Sequence, residues 1–375
     1  MDKNTFLDHM KPFINTDCGT YDTQGVAKIA DMISDKYRAL GGWHISRKHL
    51  HDEVGPGLLL TNRENPEHFD VLLIGHLDTV FPQGTAAERP FRVEGNRAYG
   101  PGVADMKNGI IAIYAALAEL DPALRDALSI GVLHNPDEEI GSIHSAEWIV
   151  EVAKKADRVL VCESARADGS LVSQRKGYAN FTLQFKGIAS HAGNDPEKGR
   201  SAVLEMAHWI CDLTRFNDYA NGTSLTVGLA KGGSASNVVP EHAEAIVDMR
   251  FWDNAKFEEI HNILLEKAKT PHVDGVAITV SVKSHKPAMI MNDGTKALMQ
   301  LVEKAGESIG LPITWQAVGG GSDANLTSSH GIPSLDGFGP IGANFHSDKE
   351  YLEIDSIEAR VALLKAVLEA VAKSK

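Results

Sequence analysis

The 375-residue sequence predicts an α/β fold, with a mostly parallel sheet, helices on both faces, and an inserted α+β domain of ferredoxin-like order. Three observations predict it. Short continuous apolar runs, at 69–74, 128–133 and 158–161, read as strands buried on both faces. Segments of helical periodicity stand between them. From Tyr178 onward the pattern changes to alternating polar and apolar residues, as in a strand with one wet face.

The elements follow in order. Residues 25–40 carry a helical pattern, and 57–61 read as a strand. The apolar run 69–74 leads into Gly75 and His76. A helix at 109–120 is stopped by Asp121 and Pro122. Strand 128–133 precedes an acidic turn, helix 142–154 follows, and strand 158–161 comes next. The middle of the chain then predicts strand 178–186, helix 200–216, strands 224–230 and 243–251, helix 255–269 and strand 277–282. That succession is βαββαβ, the ferredoxin-like plan. The last part returns to α/β character, with helix 295–309, strand 314–318, a glycine-rich turn, a short helix, strand 334–337 and helix 356–372. Residues 1–176 and 287–375 are therefore expected to form one domain, with 177–286 inserted.

Composition bounds the function. Hydrophobic content of 43% and charged content of 23% are ordinary for a globular protein. A formal charge of -13 argues against a nucleic-acid partner, because phosphate binding needs a basic surface. No apolar stretch is long enough to cross a bilayer, and the first residues lack a secretory pattern, so a cytoplasmic enzyme is expected. Cys18, Cys162 and Cys211 are too few and too scattered for a disulfide framework or a thiolate metal site.

Several acidic and imidazole groups stand at or just after the apolar runs, where open α/β sheets collect ligands. His76 and Asp78 are two apart, so in extended backbone they point the same way; Asp78 could orient the imidazole or ligate a metal itself. Asp105 follows a glycine-rich approach, residues 99–104, although it could equally cap the helix that begins near Asn108. Glu138 and Glu139 are adjacent, so one can ligate while the other moves a proton; by itself such a turn reads as a solvated helix cap. Glu163 and His346 complete a set of imidazole and carboxylate donors that suits zinc, with manganese or cobalt as alternatives. Residues 319–324 contain Gly-x-Gly-x-x-Ala, but no acidic residue follows at the distance a dinucleotide site requires. Gly320 and Gly321 are instead read as presenting backbone N–H groups to a substrate carboxylate.

Segments 75–80, 90–105, 137–139, 189–193, 319–324 and 346–350 together resemble the M20 family of metallopeptidases and aminoacylases, closest to its glutamate carboxypeptidase branch. The resemblance implies a zinc-exopeptidase-like catalytic domain holding two ions, with 177–286 as a lid and dimerisation domain of a homodimer. His76 and Glu163 would hold one zinc, Glu139 and His346 the other, and Asp105 would bridge them. Glu138 would be the general base, Asp78 the partner of His76, and the Asp105–Met106 peptide cis. His191, supplied by the partner subunit, would stabilise the oxyanion, and Asn237 and Arg250 match positions associated with substrate binding. Lys286 stands where that branch has an arginine; it keeps the charge but loses the fork that grips a carboxylate. The expected substrate is a small peptide or N-acyl amino acid cut next to a free carboxylate. The alternatives are an aminoacylase, deacetylase or dipeptidase, or, in a different class, a non-catalytic peptide-binding protein.

Overall fold

The computed structural model describes residues 1–375. They form two compact units: Met1–Gln174 with Met289–Val318 and Ser322–Lys375, and Arg175–Ala288 with Gly319–Gly321.

The first unit is built on an eight-stranded sheet. Its order is His44–Lys48, Gly57–Thr61, Ile130–Asn135, Val71–His76, Val159–Val161, Ser334–Asp336, Leu171–Arg175 and Trp315–Val318. The four strands from Ile130–Asn135 to Ser334–Asp336 run parallel, as the fully buried runs imply, while Gly57–Thr61 and Leu171–Arg175 join antiparallel at the flanks. Side chains alternate across a strand, and here the alternation divides the core in two. Val71 and Leu73 pack with helices Lys3–Ile14, Thr23–Leu40, Lys107–Glu119 and Ile357–Lys373, whereas Leu72 and Ile74 pack with Ala146–Ala153 and Leu326. Both faces are thus covered, and each fully buried aliphatic side chain contributes about 1.5–3 kcal/mol.

Helix Lys107–Glu119 is buried along most of its length, which requires a very close approach to the sheet. Gly109 supplies it: a Cβ there would stand 1.9 Å from the Cys162 carbonyl oxygen. Gly109→Ala is therefore expected to destabilise the protein by about 2–3 kcal/mol despite alanine's better helix propensity. A urea unfolding midpoint unchanged from wild type would contradict that packing.

A second, five-stranded sheet was not apparent from the sequence. It joins hairpin Arg92–Glu94 and Arg97–Tyr99 to Tyr351–Glu353, Gly339–Ala343 and Ser164–Ala165. Its strands are only two to five residues long, too short to carry a long apolar run or a sustained alternation. The sheet brings segment 100–105 and segment 344–350 to the same end of the unit.

The second unit has the order βαββαβ. Strands pair as Ser224–Gly232, His242–Phe251, Gly177–Lys186 and Ala277–Lys286, all antiparallel. Ala179, Phe181, Leu183 and Phe185 alternate into the core against Val247, Met249 and Phe251, and helices Ala202–Leu213 and Asn254–Lys267 cover them. The last strand extends four residues beyond the expected 282, because its partner offers backbone pairing as far as Tyr178, opposite Lys286. No helix in either unit is long and apolar enough to cross a membrane.

Candidate functional site

The parallel strands of the first unit aim their C-terminal ends at one place. His76 is the last residue of its strand and pairs with Asn135, so segment 137–139 emerges beside it. On the other side Ile74 pairs with Val161; two residues further along, His76 lies level with Glu163. Register alone therefore brings together His76, the turn holding Glu138 and Glu139, and Glu163.

Asp105 and His346 arrive from the small sheet. Asp105 Oδ1 lies 3.0 Å from His76 Nε2, and Asp105 Oδ2 lies 3.1 Å from His346 Nε2. Each imidazole has a second carboxylate: His76 Nε2 is 3.5 Å from Glu163, and His346 Nε2 is 3.1 Å from Glu139. The two oxygens of Asp105 thus face two separate histidine–glutamate pairs. Asp105 does not cap the helix that follows. That helix starts at Lys107, with Met106 at its N-cap and no side-chain cap bond. The Asp105–Met106 peptide is cis.

The electrostatics are those of an acidic cavity holding protons. Burial would depress His76, but Glu163, Asp105 and Asp78 outweigh it and raise its pKa well above the usual imidazole range. Hydrogen bonds to Asp105 and Glu139 push His346 up to about 10. Burial, reinforced by Asp105, raises Glu139 to about 8, and burial likewise raises Glu163 well above the carboxylate range. Burial would raise Asp105 too, but its hydrogen bonds to His346 and His76 win and lower it. Glu139 Oε1 is buried without a protein hydrogen-bond partner, a position that a bound cation would satisfy. His76, Asp105 and Glu139 offer donor atoms within 4.8 Å of one another, in a donor set of imidazole and carboxylate suited to a borderline divalent ion.

Asp78 does more than the sequence suggested. It lies 3.2 Å from His76 Nδ1, and its two oxygens also accept the backbone N–H groups of Glu138 and Glu139 at 3.2 Å each. Thr20 Oγ1 donates to it at 2.7 Å. One buried carboxylate thereby orients the histidine and pins the glutamate turn.

Glu350 was missed as a functional residue, although it closes the segment that begins at His346. Its buried carboxylate accepts from the backbone N–H of Ala104 (2.7 Å), Asp105 (2.9 Å) and Gly102 (3.1 Å). The signal was a glutamate four residues after the histidine; its partners are about 245 residues away in sequence and invisible locally. Lys107 is the other omission. Its buried ammonium donates to the carbonyls of Thr16 and Pro101, bracing the same loop. Cys162 is buried, and burial raises its thiol pKa, so it packs as a small hydrophobe.

A cleft of about 650 Å³ opens beside Glu139, bordered by Thr20, Tyr21, Gln24, Val80 and Phe81.

The remaining residues singled out by the sequence lie in the second unit, in two groups. His191 sits in a short ladder of Ser190–His191 with Val238–Val239, and the Asn237 carbonyl accepts the Ala192 N–H. Nδ1 of His191 accepts from the backbone N–H of Gly193 and Asn194, both at 3.1 Å. Its proton therefore resides on Nε2, which makes the exposed ring a donor. In the other group, Tyr178 pairs with both Arg250 and Lys286, and Gly321 packs against Tyr178 and Lys286. Arg250 makes a fork to Asp248 (2.8 and 3.0 Å) and contacts the Gly319 carbonyl at 3.4 Å; Arg175 donates to the Gly320 carbonyl at 2.9 Å. The glycine loop thus turns two carbonyls toward arginines. Ser322 after it caps the helix Asp323–Ser329.

Residues 72–370 match the family described as peptidase family M20/M25/M40. Carboxypeptidase G2 of Pseudomonas sp. (strain RS-16) is 33% identical over 361 residues, covering 94% of this chain and 86% of the relative. A succinyl-diaminopimelate desuccinylase of Helicobacter pylori (strain HPAG1) is 27% identical over 343 residues, covering 87% of this chain and 84% of the relative. The fold is shared with a dinuclear metal binding peptidase of Bacillus subtilis at a TM-score of 0.71 and 12% identity, with 100% of this chain and 99% of that chain covered.

Proposed function

The chain belongs to peptidase family M20/M25/M40 and is a metallopeptidase or amidohydrolase; we propose that it hydrolyses a peptide or N-acyl amide bond next to a free carboxylate, in the manner of a glutamate carboxypeptidase. The observation that carries this reading is the division of the Asp105 carboxylate between two histidine–glutamate pairs. In it His76 and Glu163 hold one divalent ion, Glu139 and His346 the other, and Asp105 is shared. Zinc suits these donors, with manganese or cobalt as alternatives. The Bacillus subtilis relative, itself a dinuclear metal binding peptidase, supports a two-ion site. Bound there, the ions supply Lewis acidity that polarises an amide carbonyl and makes water a nucleophile near neutral pH.

The chain's own groups do the rest. Glu138 takes the proton of the attacking water and returns it to the leaving amine. Its backbone is fixed by Asp78, so the carboxylate starts from a defined position. His191 donates through Nε2 to the tetrahedral oxyanion, with Asn237 beside it. Arg250, Lys286, Gly320 and Gly321 recognise the substrate carboxylate, which for Arg250 means competing with Asp248. The cleft beside Glu139 receives the acyl side. In this reading the second unit is a lid and dimerisation domain, and His191 acts across a homodimer.

The desuccinylase relative favours a second reading, deacylation of an N-acyl amino acid. Hydrolysis of N-acyl amino acids varied at the C-terminal residue, measured alongside dipeptides and zinc content, separates the two. A preference for C-terminal glutamate supports the carboxypeptidase reading. Preference set by the acyl group supports the deacylase. Two bound ions with no turnover on the whole panel would leave only a binding protein.

Metal affinity should rise steeply with pH. Without ions, His346 at about 10 and Glu139 at about 8 both carry protons at pH 7, and ligation requires that they be lost. His76, raised well above the imidazole range, must lose its proton as well, so binding releases more than one proton and the logarithm of affinity should climb by more than one per pH unit near pH 7. Calorimetry of zinc binding in buffers of different ionisation enthalpy measures the release, and a buffer-independent heat would overturn this account.

A further inference from the structure

Three side chains remote from the strand ends form a second place where metal donors converge. His51, Glu53 and His144 offer ligand atoms within 4.8 Å of one another. The His51 and His144 rings stack at 4.1 Å with 15° between their planes. His51 Nδ1 lies 3.7 Å from Glu53 Oε2 and accepts the Glu53 N–H at 3.2 Å, a bond that an ion at this nitrogen would replace. His144 Nε2 is shielded from solvent and has no hydrogen-bond partner. Leaving a shielded ring nitrogen unpaired is unfavourable, and a bound cation would remove that penalty.

The other cluster of this kind in the chain shows the contrast. His68, Asp70 and Asp157 are equally close, but Lys375 already stands 2.7 Å from Asp70, the Ser129 N–H donates to it at 2.6 Å, and His68 bonds Asp157 at 2.9 Å. That cluster has its cation and its donors. No lysine or arginine pairs with Glu53.

His144 also belongs to the turn that holds the glutamates. Its backbone N–H donates to Asp137 Oδ2 at 2.8 Å, and Ser145 Oγ bonds the same carboxylate. Ser142 between them has φ of 57°, and its N–H bonds the Asp137 carbonyl at 2.8 Å. Segment 137–145 is therefore one braced loop, with Glu138 and Glu139 near its start and His144 near its end.

We propose that His51, Glu53 and His144 form a third divalent-metal site, for a transition ion of the zinc class, which ties segment 51–53 to the loop carrying Glu138 and Glu139. Two imidazoles and one carboxylate leave a coordination position for water, as expected of a weaker, exchangeable site. Equilibrium dialysis of the full chain against zinc, with a cation-chelated protein as the start, tests it. Wild type should take up one more equivalent than either His51→Ala or His144→Ala. Either substitution should weaken that last equivalent more than roughly tenfold, since a ligand matters at least as much as an outer partner. The one-equivalent difference should persist in a Glu163→Gln background, which separates it from the ions at the strand ends. Filling the last equivalent should also slow amide hydrogen exchange in 138–145 in wild type but not in His51→Ala. His51 is exposed, so its replacement leaves the fold intact even if that of His144 does not. Equal zinc uptake by wild type and His51→Ala, or exchange in the loop indifferent to the last equivalent, would overturn the proposal.

Discussion

Asp105→Ala is expected to abolish turnover and to remove metal from both positions at once. Its two oxygens face one histidine each, so its removal takes a ligand from both positions. Loss of the ions removes several kcal/mol of transition-state stabilisation, which corresponds to a fall in kcat/KM of about three orders of magnitude or more. Glu163→Gln and His346→Gln should each weaken mainly one ion, because each stands on one side of Asp105 only. Metal content by elemental analysis reads both results. Two ions retained by Asp105→Ala would refute the bridging role, whatever the activity. Because Asp105 is also the principal anion beside His346, its removal should bring that imidazole down from about 10 toward its ordinary range in the metal-free protein, an outcome that an NMR titration can follow.

Glu138→Gln is expected to behave differently. It should keep both ions and near-normal KM while kcat falls by roughly 10²–10⁴-fold, the usual contribution of a positioned acid–base group. The neighbouring Glu139→Gln should lose an ion instead, since Glu139 stands 3.1 Å from His346 and has a buried, unpartnered oxygen. Adjacent glutamates with opposite phenotypes form a demanding test. Glu138→Gln with near-normal kcat and both metals bound would end the general-base assignment. The reason for the division lies in the backbone: Asp78 accepts the N–H groups of both residues and holds them in one short turn.

Much of the candidate cluster was legible because the apolar strands end where its side chains gather. The runs before His76, Glu138 and Glu163 are buried on both faces, and parallel register then aligns their ends without further information. The inserted unit was equally legible, since strands such as Gly177–Lys186 bury alternate residues. Boundaries shifted where pairing partners decided them: the strand expected at 69–74 runs Val71–His76, which puts His76 inside the sheet. The glycine loop was read only in part. Its backbone carbonyls at Gly319 and Gly320 meet Arg250 and Arg175, an outcome set by side chains far away in sequence.

By itself the sequence determined the two periodicities, the βαββαβ insertion, and the strand ends on which His76, Glu138, Glu139 and Glu163 stand, because these depend on residues within a few positions of one another. Only the tertiary structure decided how Asp105 and His346 join them. That step depends on a sheet of short strands and on Glu350, whose carboxylate gathers three backbone N–H groups of the Asp105 loop. Asp105 and His346 are 241 residues apart, and no local pattern encodes a contact made across that separation. Their meeting is a consequence of packing: the buried carboxylate of Glu350 must find donors, and the loop that supplies them carries Asp105.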